Sequence, residues 1–216
     1  MLQTPHIPTP SPRYIDAREA SAMIRATLKR EFPGVKFGVR LSRYSGGSSV
    51  RVDWTDGPRT GDVEAFIQPF AGRGFDGMID MAYCLQAWLL PDGTATFAYT
   101  RGTAGSKGVV SEEFTDPPPG AVLVSFGVSY VFAERKYSPE FMNRVAAKVA
   151  AFWGCRAPEF TLAKYGGYTV VPGTDTPNVG NSHFDASDLI WQVAVKTDAR
   201  SGVVMGHHYI DDGTVI

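Results

Sequence analysis

The chain has 216 residues, 44% of them hydrophobic and 20% charged, with 21 Lys and Arg against 22 Asp and Glu. That is enough to bury a core without disulfide or metal staples. A net charge of -1 excludes a global attraction to nucleic acid or membrane and excludes DNA mimicry, so any anion-binding surface must be a local patch.

No apolar run approaches the roughly 18 residues of a spanning helix. The opening MLQTPHIPTPSPR has no apolar centre for a signal peptide. Two cysteines, Cys84 and Cys155, are too few for a disulfide framework. The expected setting is the reduced cytoplasm, with Cys84 buried in the run MAYCLQAWLL; a pairing of the two cysteines is the alternative.

Residues 1–13 carry Pro5, Pro8, Pro10 and Pro12, which block helix and sheet ladders and predict an extended leader. Asp16 opens a helix at capping-box spacing from Glu19. Ala20, Ile24 and Leu28 supply its apolar stripe, Lys29 and Arg30 suit its negative end, and Pro33-Gly34 stops it. In the next segment Phe37, Val39 and Leu41 alternate with Lys36, Gly38, Arg40 and Ser42, the period of a strand. Gly46 and Gly47 supply a hairpin turn. The return strand puts Val50, Val52 and Trp54 on one face and Arg51 and Asp53 on the other, and Thr55-Asp56-Gly57-Pro58 ends it in a turn.

A second helix is predicted over about residues 60–70, with Val63, Phe66, Ile67 and Phe70 inward. Phe75-Asp76-Gly77 then reads as a compact turn, with Asp76 capping a following helix and Phe75 stapled to the core. Pro91-Asp92-Gly93 is a hairpin-type turn, with a strand after it. Gly and Pro mark residues 101–120 as a linker or long loop. Beyond it, Val122 to Phe132 reads as a strand. Ser138-Pro139 starts a helix with Phe141, Val145, Val149 and Phe152 on one face, closed by Gly154. Strands are expected at Tyr165–Val171 and Ile190–Val195, a polar loop at 172–188, and one more strand in 203–216.

The stretch YIDAREASAMIRATLKREFPGVKFGVR, then RYSGGSSVRVDWTDGP from Arg43 to Pro58, then FDGMID from Phe75 carry a resemblance. Over residues 14–90 the chain resembles the large polyvalent protein-associated domain family, the twenty-ninth of its series, found in phage and conjugative-plasmid proteins. The resemblance implies a mobile genetic element as the setting, with action on or beside incoming DNA and host defences. Gly46, Gly47, Trp54, Asp56, Gly57, Phe75, Asp76 and Gly77 carry the matching motifs and are expected to be structural.

Among groups that bear chemistry, Lys36, Arg40 and Arg51, with Arg43 near the tip, form a basic hairpin face of the kind that meets phosphate. The alternative is the solvated side of an antiparallel sheet, and Phe37 and Trp54 fall on the opposite, apolar side. SGGSS lacks the following Lys-Ser/Thr and helix of a P-loop. Asp76 and Asp80 stand four apart, but no partner for acid–base work is evident. His183 and Asp185, with the adjacent His207 and His208, are weak metal candidates without recognised ligand spacing. Neither cysteine sits in a nucleophile motif. No cofactor is expected.

The expectation is therefore an α+β protein. Its N-terminal unit, 14–100, is helix–β-hairpin–helix, and an α+β unit, 121–216, is linked to it; the sheet is mainly antiparallel, and one continuous domain is the alternative. The expected function is non-enzymatic: counter-defence or establishment through binding of a host protein or nucleoprotein. A nucleic-acid-binding module and a metal-assisted hydrolase are the alternatives. The oligomeric state is left open.

Overall fold

A computed structural model describes residues 11–77, 80–99, 115–153, 159–162, 168–171 and 186–201. The class is α+β, with sheets that are mostly antiparallel. In chain order the elements are β1 Arg13–Ile15, α1 Ala17–Glu31, β2 Gly38–Tyr44, β3 Gly47–Thr55 and α2 Thr60–Ile67, followed by a single 3-10 turn, Gln68–Phe70. Then come β4 Arg73–Asp76, β5 Met81–Cys84, β6 Ala87–Leu89, β7 Ala95–Phe97, β8 Val122–Phe126 and β9 Tyr130–Lys136. The last four are α3 Pro139–Trp153, β10 Glu159–Leu162, β11 Tyr168–Val171 and α4 Ala186–Lys196.

The residues group into two compact units. One holds the chain up to Val52 together with Val63–Ala133; the other holds Asp53–Asp62 and the chain from Glu134 onward. The division thus falls within β3, α2 and β9, while most of the expected linker, 101–120, lies outside the described residues.

In the first unit, α1 starts where Asp16 Oδ1 accepts the backbone N–H groups of Arg18 at 2.7 Å and Glu19 at 3.0 Å. Two of the four orphan donors of the first turn are thereby satisfied. Ala20, Ile24 and Leu28 are buried, and the helix packs on β2. Arg25 Nη2 reinforces that packing by donating to the Val39 carbonyl at 2.7 Å. The Phe32 ring meets Phe37 at 5.8 Å and the edge of Phe66 at 5.6 Å. A four-stranded sheet runs in the order β1-β8-β6-β7. β1 lies parallel to β8, and β6 is antiparallel to both β7 and β8. Arg13, the last residue of the expected leader, thus already belongs to a strand, which runs on to the fully buried Ile15 beside β8.

Other expectations are corrected here. Phe75-Asp76-Gly77 opens no helix. β4 and β5 form an antiparallel hairpin with Asp76 opposite Met81, and Asp80 takes the left-handed conformation that aspartate tolerates in such a turn. Phe75 is 57% exposed rather than stapled to the core, and Cys84 is exposed rather than buried. Without a helix, Asp76 and Asp80 do not share a helical face. The stretch from Val122 to Phe132 is two strands, because Gly127 breaks it: a Cβ there would collide with the Tyr14 hydroxyl.

In the second unit, Ser138 caps α3 as expected, its Oγ accepting the Phe141 N–H at 3.1 Å. Phe141, Met142, Val145, Ala146 and Val149 of α3 form a core with Ile190, Val193 and Ala194. Ile190–Val195 is thus helix, not strand. Its β-branched residues favour a strand, but Ile190, Val193, Ala194 and Thr197 are buried at helical spacing, and the packing partner overrides propensity. Gly154, Cys155, the loop at 172–185 and the tail 203–216 lie outside the described residues.

Candidate nucleic-acid interface

A third sheet has the order β2-β3-β9. β2 ends at Tyr44 and β3 begins at Gly47, so Ser45 and Gly46 form a two-residue turn. Gly46 has φ +91°, the conformation such a turn demands and glycine supplies. Gly47 serves differently: a Cβ there would lie 2.6 Å from Ser129 Oγ. At the other edge of β3, Ser129 N donates to Ser48 O at 2.9 Å and Asp56 N donates to Lys136 O at 2.8 Å. Both strands advance together between these bonds, so β9 runs parallel to β3.

Turn length fixes register in a hairpin. Counting back from the turn sets Arg40 directly across from Arg51. Both are exposed, while Ser48, Val50, Val52 and Trp54 point to the buried side. Like charges placed directly opposite destabilise a strand pair. The hairpin nevertheless brings two guanidinium groups to one exposed face, with Asp53 beside Arg51 on the same side of β3.

The face of β9 follows from an ion pair. Lys136 Nζ lies 3.8 Å from Asp53 Oδ2, and Asp53 alternates with Arg51 on β3. Lys136 thus shares the outward side, and with it, at a period of two, Glu134, Phe132 and Tyr130. Val131 and Arg135 alternate inward and are buried. Phe132 is 50% exposed, and its ring centroid lies 6.3 Å from that of Tyr130, tilted by 31°. Tyr44, on the outward side of β2, is 49% exposed. The expected basic face carried no aromatic. The signal for one is the alternation of YVFAERK over 130–136, which a single strand over 122–132 conceals.

The four basic residues singled out from sequence separate. Arg40 and Arg51 sit side by side, and Lys36 is exposed just before β2. Arg43 alternates with Leu41 toward the helix side. There its charge, after the backbone N–H groups of Glu19 and Arg18, helps hold the Asp16 carboxyl below the ordinary aspartate value.

Asp56 and Gly57 both take positive φ. The Asp56 carboxylate accepts from the Ser138 N–H at 2.8 Å and the Ser138 hydroxyl at 2.7 Å. Beside them Arg135 is buried. It donates to the carbonyls of Asp56 at 2.9 Å, Gly57 at 3.2 Å, Ala194 at 3.3 Å and Thr197 at 2.8 Å. Burial pulls its pKa below the usual arginine value, and its guanidinium lies 4.8 Å from the Tyr137 ring centroid. Trp54 is buried, with Nε1 donating to Pro58 O at 3.1 Å. This constellation shapes the second unit.

A family model described as Large polyvalent protein associated domain 29 matches residues 15–138. The chain belongs to this family. The match covers every residue of the outward face from Arg40 to Phe132 and reaches Ser138, beyond the 14–90 expected from sequence. The family associates the chain with the polyvalent proteins of phages and other mobile elements. No curated protein and no solved structure matches the chain. Among the described residues no helix is long and apolar enough to cross a membrane, and no three His, Cys, Asp or Glu lie together as metal ligands would. His183, Asp185, His207 and His208 lie outside the described residues.

Proposed function

We propose that this domain serves a mobile genetic element by binding, without making or breaking bonds, and that it holds nucleic acid on the outward face of β2, β3 and β9. The observation that carries this reading is the placement of Arg40 across from Arg51. A polyanion meets these two guanidinium groups on a face that Asp53 and Glu134 share, and its bound counterions are released as it docks. Lys36 adds charge at the base of β2. The setting agrees, since a factor acting beside incoming DNA meets nucleic acid first.

The test is a binding titration at two salt concentrations. The parent should bind at low salt and lose affinity steeply as salt rises. The combined variant Lys36→Gln, Arg40→Gln, Arg51→Gln should bind more weakly, with a slope flatter by about one for each phosphate no longer neutralised. Arg43→Gln, on the helix side, should leave that slope in place. No binding by the parent at low salt would remove the reading.

A second reading rests on the β4–β5 hairpin, where Phe75 is 57% and Met81 59% exposed. Exposed apolar groups on the two faces of an arm suit a protein partner, as counter-defence against a host factor requires. A pull-down from host lysate that survives nuclease treatment and fails with Phe75→Ser, Met81→Ser would favour it.

A further inference from the structure

Resting on the nucleic-acid reading above, we infer that the ligand is single-stranded: its bases stack on Phe132 and Tyr130 while its phosphates meet Arg40 and Arg51. Three observations lead there. Phe132 is half exposed on a face whose other outward residues are polar or charged. Its ring and that of Tyr130 lie 6.3 Å apart, tilted by 31°, so together they offer two adjoining aromatic surfaces. The guanidinium pair stands on the neighbouring strands of the same face, in the order β2, β3, β9. Strands lie about 4.8 Å apart, so the face from β2 to β9 spans roughly 10 Å, the width of one polynucleotide strand. Duplex bases are already stacked on each other and cannot reach such a platform. Unpaired bases can, and every base has a π face, so the surface tolerates any sequence.

Fluorescence anisotropy with labelled oligo-dT, oligo-U and a mixed-sequence DNA duplex of equal length tests this at fixed low salt. The parent should prefer a single strand to the duplex, and the dT and U arms tell DNA from RNA. Phe132→Ala should weaken single-strand binding about tenfold or more and leave duplex binding nearly unchanged. Phe132→Trp should retain or strengthen it, and Phe132→Leu, apolar but unable to stack, should behave like Ala. Equal binding of single strand and duplex, or a Phe132→Leu variant that binds like the parent, overturns this inference. If the charge variant weakens binding but Phe132→Ala does not, the basic face stands and the platform falls. If the parent binds none of the three probes, both fall. Because Phe132 is half exposed, its variants should melt near the parent, and Leu provides the comparison should Ala not fold.

Discussion

One carboxylate holds Ser138 at two atoms: Asp56 accepts both its backbone N–H and its hydroxyl hydrogen. With its proton directed at Asp56, the hydroxyl presents a lone pair to the Phe141 N–H. The cap of α3 is thus oriented from a turn 82 residues earlier. Asp56→Ala removes both bonds and places alanine at φ 55°, so it should cost about 2–3 kcal/mol in urea unfolding. In a double-mutant cycle, Ser138→Ala should cost less in the Asp56→Ala background than in the parent. Additive losses would break the proposed link.

Arg135 has a comparable role on the other side of the same turn. Arg135→Met would leave four carbonyls short of a donor, each buried polar group left unsatisfied costing about 1–3 kcal/mol. A loss of about 3 kcal/mol or more is expected by chemical denaturation. Arg135→Lys should recover little, because one ammonium cannot reproduce a planar fork.

Gly46 and Gly47 should fail for different reasons when replaced. Gly46→Ala meets open space but keeps an unfavourable φ of +91°, and about 1 kcal/mol is expected. Gly47→Ala meets Ser129 Oγ, so its cost should shrink when Ser129→Ala removes that atom. A thermal melt of the four combinations checks this.

Acid should loosen the start of α1. The Asp16 carboxyl titrates below its ordinary value, chiefly because the Glu19 and Arg18 N–H groups favour its charged form. A depressed folded-state pKa means that this stabilisation is complete above the ordinary value of about 4 and disappears as pH falls through the lower folded value. The protection factors of the Arg18 and Glu19 amides, which allow for the slower intrinsic exchange in acid, should therefore fall below about pH 4. Asp16→Asn should remove that pH step while leaving the rest of the acid transition.

Local chemistry made much of the chain legible. The Asp16 cap, the Ser45–Gly46 turn, the inward set of Val50, Val52 and Trp54, and the Ser138 cap each depend on residues within a few positions. What stayed hidden depended on distant partners. Ile15 is a strand only because β8 lies beside it, and Ile190–Val195 is a helix only because α3 offers a groove. Phe132 joins Arg51 only through a pairing between segments far apart in sequence. The basic cluster was half legible: Arg40 and Arg51 follow from turn length. The side taken by Arg43 needed the position of Asp16.

The parallel seating of β9 on β3 has a consequence for the birth of the molecule. Ser48 finds Ser129 across 81 residues, so one edge of β3 stays open until that segment leaves the ribosome. At about 5–20 residues per second, synthesis of that interval takes roughly 4–16 s. Throughout it a hairpin with Val50, Val52 and Trp54 along one side is available to any other unfinished chain. Expression at high temperature or from strong promoters should therefore favour inclusion bodies, and slower synthesis should favour recovery of folded protein.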